Sequence, residues 1–230
     1  MKIFVTLCLL SVPALAASQQ PGSTPPTLRA LFVQDQRDRG ATLADDGVSM
    51  LSKAEAAKLP HYEWPAITKR DEERRAAAKA ILAKESAPTG EEMYYAAFIF
   101  QHGQASDDYL LAHIFATEAV VLGYTKAKWI SAATLDRYLQ SVGQKQVFGT
   151  QYSDEKFAYY RQHRNSPDLA EKLKSIGDQQ TLEPYDEELI PDTARATFCV
   201  PPLAAQQKYI EDSRAGKTPA DLPRLADCER

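Results

Sequence analysis

Asp136 and Arg137 interrupt an otherwise apolar helical face in the stretch WISAATLDRYLQSVGQKQVFGTQY, residues 129–152. At about 100° per residue, Trp129, Ile130, Ala132, Ala133 and Leu139 share one arc, with Asp136 in its middle and Arg137 at its edge. A carboxylate so placed faces protein, and burying it demands a counter-charge or several donors. Adjacent helix positions do not face each other, so the two residues require different partners. Arg39, Arg195 and His102 are candidates for Asp136, and Asp35 or Asp192 for Arg137. Two kinds of chemistry follow. Asp136 with His102 or Glu118 supplies an acid and a base for hydrolysis in a cleft. A fully paired ion network instead organises a fold and shifts pKa values without turnover.

The loop that follows offers Gln144, Gln146, Thr150 and Gln151 beside Gly149. Amide side chains both donate and accept, and glycine lets backbone approach closely. That suits a small polar ligand, and it equally suits a loop that satisfies the end of the preceding helix. The four histidines, His61, His102, His113 and His163, show no HxxxH or HExxH spacing, so no metal site is expected. The chain has no GxSxG, no P-loop and no GxGxxG, and no cofactor is expected either.

Caps, glycine stops and apolar period place the elements that must position these residues. Thr24 and Pro25 read as an N-cap and first helical position of a helix carrying LRALFVQDQRDRG to Gly40. Leu28, Leu31 and Phe32 form its inward stripe, and the same period brings Asp35, Gln36 and Arg39 onto that face. Residues 41–67 hold short polar pieces with Pro60 and Pro65, implying irregular chain with at most a short helix from Lys53 to Leu59. Thr68 caps an alanine-rich helix from Lys69 to Lys84, whose charges imply a solvated face.

Three helices follow. Thr89 and Glu92 form a capping box for one ending near His102 and Gly103. Ser106 caps YLLAHIFATEAVVLG, apolar nearly all round and so expected to be central and buried, with His113 and Glu118 as polar interruptions. Thr125 caps the third, Lys126 to Val142, closed by Gly143; connections this short make antiparallel neighbours. Beyond the loop, Ser153 caps a short helix reaching His163, and Ser166-Pro167 opens another that stops at Gly177. The proline-rich TLEPYDEELIPDTARATFCVPPL reads as a wrapping segment before a last helix, Leu203 to Arg214. Only Val147 to Tyr152 reads as extended.

Composition and the N-terminus bear on compartment. With 230 residues, 44% hydrophobic and 25% charged, the chain is long enough for one sizeable core. Lys2, the apolar run Ile3 to Val12, Pro13 and Ala14-Leu15-Ala16 have the layout of a signal peptide cleaved after Ala16 or Ala17. The run is too short for a permanent membrane span, so an exported protein, periplasmic or secreted, is expected. Cleavage would leave 26 basic residues against 31 acidic, a net charge of −5, which gives no basic patch for nucleic acid. It would also leave two cysteines, Cys199 and Cys228, in an oxidising compartment. A disulfide that ties down the tail is the natural reading, with two independent thiols as the alternative.

Gln101-His102-Gly103, then Asp136-Arg137, then Gly143-x-x-Gln146-x-Phe148-Gly149-Thr150-Gln151 resembles an uncharacterised bacterial domain-of-unknown-function family. Asp35-Gln36-x-Asp38-Arg39, Pro191-Asp192-x-x-Arg195 and Pro201-Pro202-Leu203 are similar to the same pattern, which spans Leu28 to Leu203. Where many relatives have Ala-Asp after the Gln-His, this chain has Gly103-Gln104. The resemblance implies no activity; it implies that these residues belong together.

The expected architecture is mainly α: a single helical domain of six to eight helices around a buried central antiparallel pair, with an irregular C-terminal wrap. Its divisions are a signal peptide (1–17), a flexible tether (18–26), the helical domain (27–214) and a tail (215–230). The expected polar set is Asp35, Gln36, Arg39, Gln101, His102, Asp136, Arg137, Gln146, Gly149, Thr150, Gln151, Asp192 and Arg195. Its functional readings are a structural or small-polar-ligand-binding centre, a hydrolase of envelope or extracellular polymers, or a helical protein-interaction module. An open pocket joining His102, Asp136, Arg137 and Gln151 favours the first two, and a sealed core beside an exposed apolar groove favours the third.

Overall fold

Ten α-helices carry the described chain, more than the six to eight expected, and the only sheet among the described residues is a two-stranded pair. The structure is a computed structural model, described over residues 26–163, 166–177, 179–217 and 228. The expected signal peptide and nearly all of the tether lie outside these residues, as does most of the tail.

Helix α1 (Leu28–Asp38) starts one turn later than Thr24 suggested: Thr27 is the N-cap, its hydroxyl accepting from Ala30 N. The short α2 (Lys53–Ala56) is opened by a Ser52–Glu55 capping box. Helix α3 (Trp64–Leu82) begins before Thr68, because Pro65 in the first turn fits a helix start, where its missing N–H costs nothing. Helix α4 (Gly90–Phe100) has the expected Thr89–Glu92 box. In α5 (Ser106–Val121) the cap position falls on Ala105, so Ser106 is already helical. A 3-10 turn at Thr125–Ala127 leads into α6 (Lys128–Ser141).

Helices α4, α5 and α6 run back and forth. A Cβ on Gly90, at the start of α4, would stand 3.0 Å from Ala119 O near the end of α5. At the other end Ser106 Oγ on α5 lies 3.5 Å from Ser141 O on α6. Ala112, Ala116 and Ala119 are the buried residues of α5, and their small side chains admit close neighbours on both sides. One core cluster joins Leu28, Leu31 and Phe32 of α1 to Tyr95, Ile99 and Phe100 of α4. A second joins Met93 and Ala97 of α4 to Ala116 of α5 and Ile130 and Ala133 of α6. At ~1.5–3 kcal/mol for each fully buried large side chain, these two clusters dominate the folding drive.

Contrary to expectation, α5 is not buried all round. Ile114 is 47% exposed, Val121 79% and Leu122 51%. Of these, Val121 borders a cleft described below.

After α6 the chain forms a loop, then β1 (Ser153–Asp154), α7 (Glu155–His163), α8 (Leu169–Ser175) and β2 (Gln180–Thr181). The strands pair antiparallel, Ser153 opposite Thr181. The extended piece is therefore Ser153–Asp154, and within Val147 to Tyr152 the loop is irregular. The wrapping segment contains α9 (Asp192–Thr197) and leads to α10 (Leu203–Arg214), which has the expected bounds. Helix α9 ends with Val200 N donating to Arg195 O and Cys199 N to Ala196 O, with Cys199 at φ +60°. Cys199 Sγ and Cys228 Sγ stand at bonding distance.

Candidate functional site

Asp136 is wholly buried on α6, and its partners among the described residues are neutral donors rather than a cation. Its Oδ1 accepts from Val147 N (2.7 Å) and Phe148 N (2.9 Å). Its Oδ2 accepts from Thr150 N (3.0 Å) and Thr150 Oγ1 (2.7 Å). The expected partners Arg39, Arg195 and His102 all bind elsewhere. Burial pushes this carboxyl above the usual range, while the three N–H groups and the hydroxyl pull it back.

The rest of the motif loop is held as tightly. Gln146 Oε1 accepts from Gln151 N (2.9 Å), and its Nε2 donates to Gln151 O (3.1 Å) and Leu182 O. Gln151 Nε2 donates to Ala133 O (3.1 Å), and its Oε1 accepts from Arg137 Nε (3.1 Å). Arg137 also donates to Gln101 O (3.0 Å); the partners expected for it, Asp35 and Asp192, are held by other groups. Gly149 sits at φ +75°, and a Cβ there would lie 2.5 Å from Gln206 Oε1. Glycine is required on both counts.

A second group lies between α1, α3 and the end of α4. Asp35 is fully buried and accepts from Gln36 Nε2 (2.8 Å), Arg39 Nη1 (2.9 Å) and His102 Nδ1 (2.9 Å). Arg39 also meets Asp71 (2.7 Å), while Arg74 bridges Asp71 and Asp38, and Arg70 pairs with Asp38 (2.7 Å). Three carboxylates and three guanidiniums balance. Burial raises the Asp71 carboxyl, but Arg39 and Arg74 outweigh it and hold the group below the usual range. Burial also depresses His102, helped by Arg39 and Arg137 and opposed by Asp35. The His102–Asp35 contact is thus a hydrogen bond from a neutral ring, with the proton on Nδ1 and the lone pair on Nε2.

A third group centres on Arg195, buried in α9. It donates to Tyr185 Oη (2.9 Å), Ile190 O (2.8 Å), Glu187 O (2.9 Å) and Asp192 (3.2 Å). Tyr185 Oη lies 3.0 Å from Gln206 Oε1, and Gln206 Nε2 donates to Phe148 O (2.8 Å). Asp192 also accepts from Leu203 N (2.9 Å).

The expected polar residues therefore do not converge on one centre. They form a chain of contacts from Gln36 and Asp35 through His102, Gln101, Arg137 and Gln151 to the Asp136 loop, continuing through Gln206 to Arg195. Glu118 stands apart from it and makes no side-chain hydrogen bond among the described residues. Arg70, Asp71 and Arg74 escaped the sequence reading because charges on α3 resemble a solvated face, while Tyr185 and Gln206 carry no local signal; Asp38, on α1, stood only in the motif that joins it to Asp35 and Arg39. Among the described residues no three His, Cys, Asp or Glu side chains are grouped to hold a metal ion.

An open concavity lies elsewhere, between α5 and α6. It encloses about 330 Å³. His113, Thr117 and Ser131 are its polar lining, and Val120, Val121, Leu135, Phe148 and Phe198 the apolar lining. The rings of Phe148 and Phe198 stand 5.0 Å apart. Because Phe148 N is fixed by Asp136 and Phe148 O by Gln206, the polar loop mounts one wall of this cleft. Among the described residues no helix is long and apolar enough to cross a membrane. Comparison of the sequence with family models and curated proteins, and of the fold with solved structures, returns no match.

Proposed function

We propose that this chain is an exported helical binding domain without turnover, in which the polar residues hold the framework and the α5–α6 cleft takes the ligand. The observation that carries this reading is Asp136: at 0% exposure, with four donors on its two oxygens, it has no access to a substrate. The cleft, in contrast, is open and has a rigidly mounted aromatic wall. Its volume of about 330 Å³ falls at the lower end of the range for small-ligand pockets. Export rests on Lys2, the apolar run after it and Ala14-Leu15-Ala16; N-terminal sequencing of the exported protein should begin at Ala17 or Ser18. The test of the binding reading is a thermal-shift screen of that protein with sugars, peptides, nucleotides and small apolar compounds, repeated on Leu135→Trp. Compounds that raise the melting temperature of wild type should fail to do so for a folded Leu135→Trp protein. A shift retained in that variant places the site elsewhere.

A second reading, hydrolysis of envelope polymers, now rests on His102 rather than Asp136. Asp35 orients its ring as a general base needs, leaving Nε2 as the basic atom. Turnover of envelope polymers that disappears in His102→Gln supports this reading, and no turnover by wild type ends it.

A further inference from the structure

His113 reaches the cleft from α5, and its hydrogen bonding fixes what it offers there. Nδ1 lies 3.0 Å from Ser131 O. A backbone carbonyl only accepts, so Nδ1 must carry the proton. The ring is neutral at neutral pH, since burial depresses the imidazolium more than the Ser131 carbonyl supports it. Nε2 is then a lone-pair acceptor, and no donor among the described residues meets it.

The other polar groups of the lining have partners. Thr117 Oγ1 and Ser131 Oγ lie 3.3 Å apart, and Ser131 O also accepts from Thr134 Oγ1 at 3.2 Å. Among the described residues no Lys, Arg, Asp or Glu lines the cleft. A charged ligand would lose its hydration there without compensation. The unmet demand is for one hydrogen-bond donor within an apolar, partly aromatic enclosure.

We propose that the α5–α6 cleft binds a neutral small molecule with an apolar, ring-sized body and one hydroxyl-type donor, which hydrogen-bonds to Nε2 of His113. The proposal rests on the cleft being the ligand site, as argued above, and adds the chemistry of the ligand. The size of the enclosure suits one ring with a short substituent, which lies against Phe148, Phe198 and Leu135. Val121, at 79% exposure, forms part of the rim through which the molecule enters.

Calorimetric titration of the whole exported chain with 4-ethylphenol, 4-ethylanisole and 4-ethylbenzoate tests this. These three share a body and differ in the head: a donor, an acceptor only, and an anion. The phenol should bind about tenfold more tightly than the ether, the size of effect expected when a buried acceptor is left unmet. The benzoate should bind more weakly than the phenol. In His113→Phe the phenol should lose its advantage over the ether while both still bind. The ¹⁵N resonance of His113 Nε2 in wild type gives the same answer without a substitution: it should move on adding the phenol and stay in place with the ether. Equal binding of phenol and ether to wild type, or an unmoved Nε2 resonance at phenol saturation, overturns the donor assignment and leaves the cleft as a site. Binding of none of the three compounds overturns the ligand class, and the cleft itself falls only if Leu135→Trp also retains every shift found in the broader screen.

Discussion

Replacing one oxygen of Asp136 by an amide nitrogen keeps the shape of the side chain and inverts half of its polarity. Either orientation of the new amide turns an N–H₂ toward backbone N–H groups, Val147 and Phe148 on one side or Thr150 on the other. At least one buried amide then loses its acceptor, so Asp136→Asn should cost about 2–4 kcal/mol. At roughly 2–4 °C per kcal/mol for a chain of this size, a thermal melt reads this directly, and an unchanged melting temperature sinks the idea. The sequence shows that Asp136 is interior, because an amphipathic wheel reports burial. It does not show the partner, because the donors are backbone groups that every residue carries. A cation was the wrong partner to expect. Protonation acts on the histidines with a definite sign. His102 and His113 are both depressed by burial, so near pH 6.5 and below the unfolded chain binds more protons than the folded one. Their contribution is present above that pH and is lost as pH falls toward the folded values. Asp71, also depressed, adds a loss at lower pH, as it falls through the ordinary carboxylate range. Melting temperature should be lower at pH 5.5 than at 7.5, and the gap should narrow in His113→Gln.

Among the elements, those with strong local punctuation are the ones the sequence locates well. The Thr89–Glu92 box is made in full, Thr89 Oγ1 accepting from Glu92 N (3.2 Å) and Glu92 Oε2 from Thr89 N (2.8 Å). Thr89→Ala should lower stability by about 1 kcal/mol, measurable as a shift in the urea midpoint with no change in slope. Helix α3 shows how the reading slips. Thr68 looks like a better cap than Glu63, yet Pro65 and the packing of Ile67 extend the helix upstream. Helix α5 shows a different limit. An apolar sequence says that surface will be kept from water, but not whether by protein or by a ligand. Val121, exposed at the edge of the cleft, is the residue on which that ambiguity falls.

For the whole molecule, helical class and helix order are legible from period and glycine stops, whereas the closure of the C-terminal half onto the helices depends on contacts distant in sequence. Gln206 reaches Phe148 across 58 positions, and Gln146 reaches Leu182 across 36; no window along the chain contains either pair. The loop after α6 is where these contacts meet. It is irregular, yet its backbone is fastened to α6 by Asp136, to α10 by Gln206 and to the wrapping segment by Pro184 O and Asp186 N. Opening it requires three separate parts of the chain to let go together. Its amides should therefore belong to the same cooperative unit as the core. In native-state hydrogen exchange, Val147, Phe148 and Thr150 should exchange as slowly as the buried helical amides of α6. Exchange as fast as that of the exposed α2 turn would mean that this segment breathes on its own.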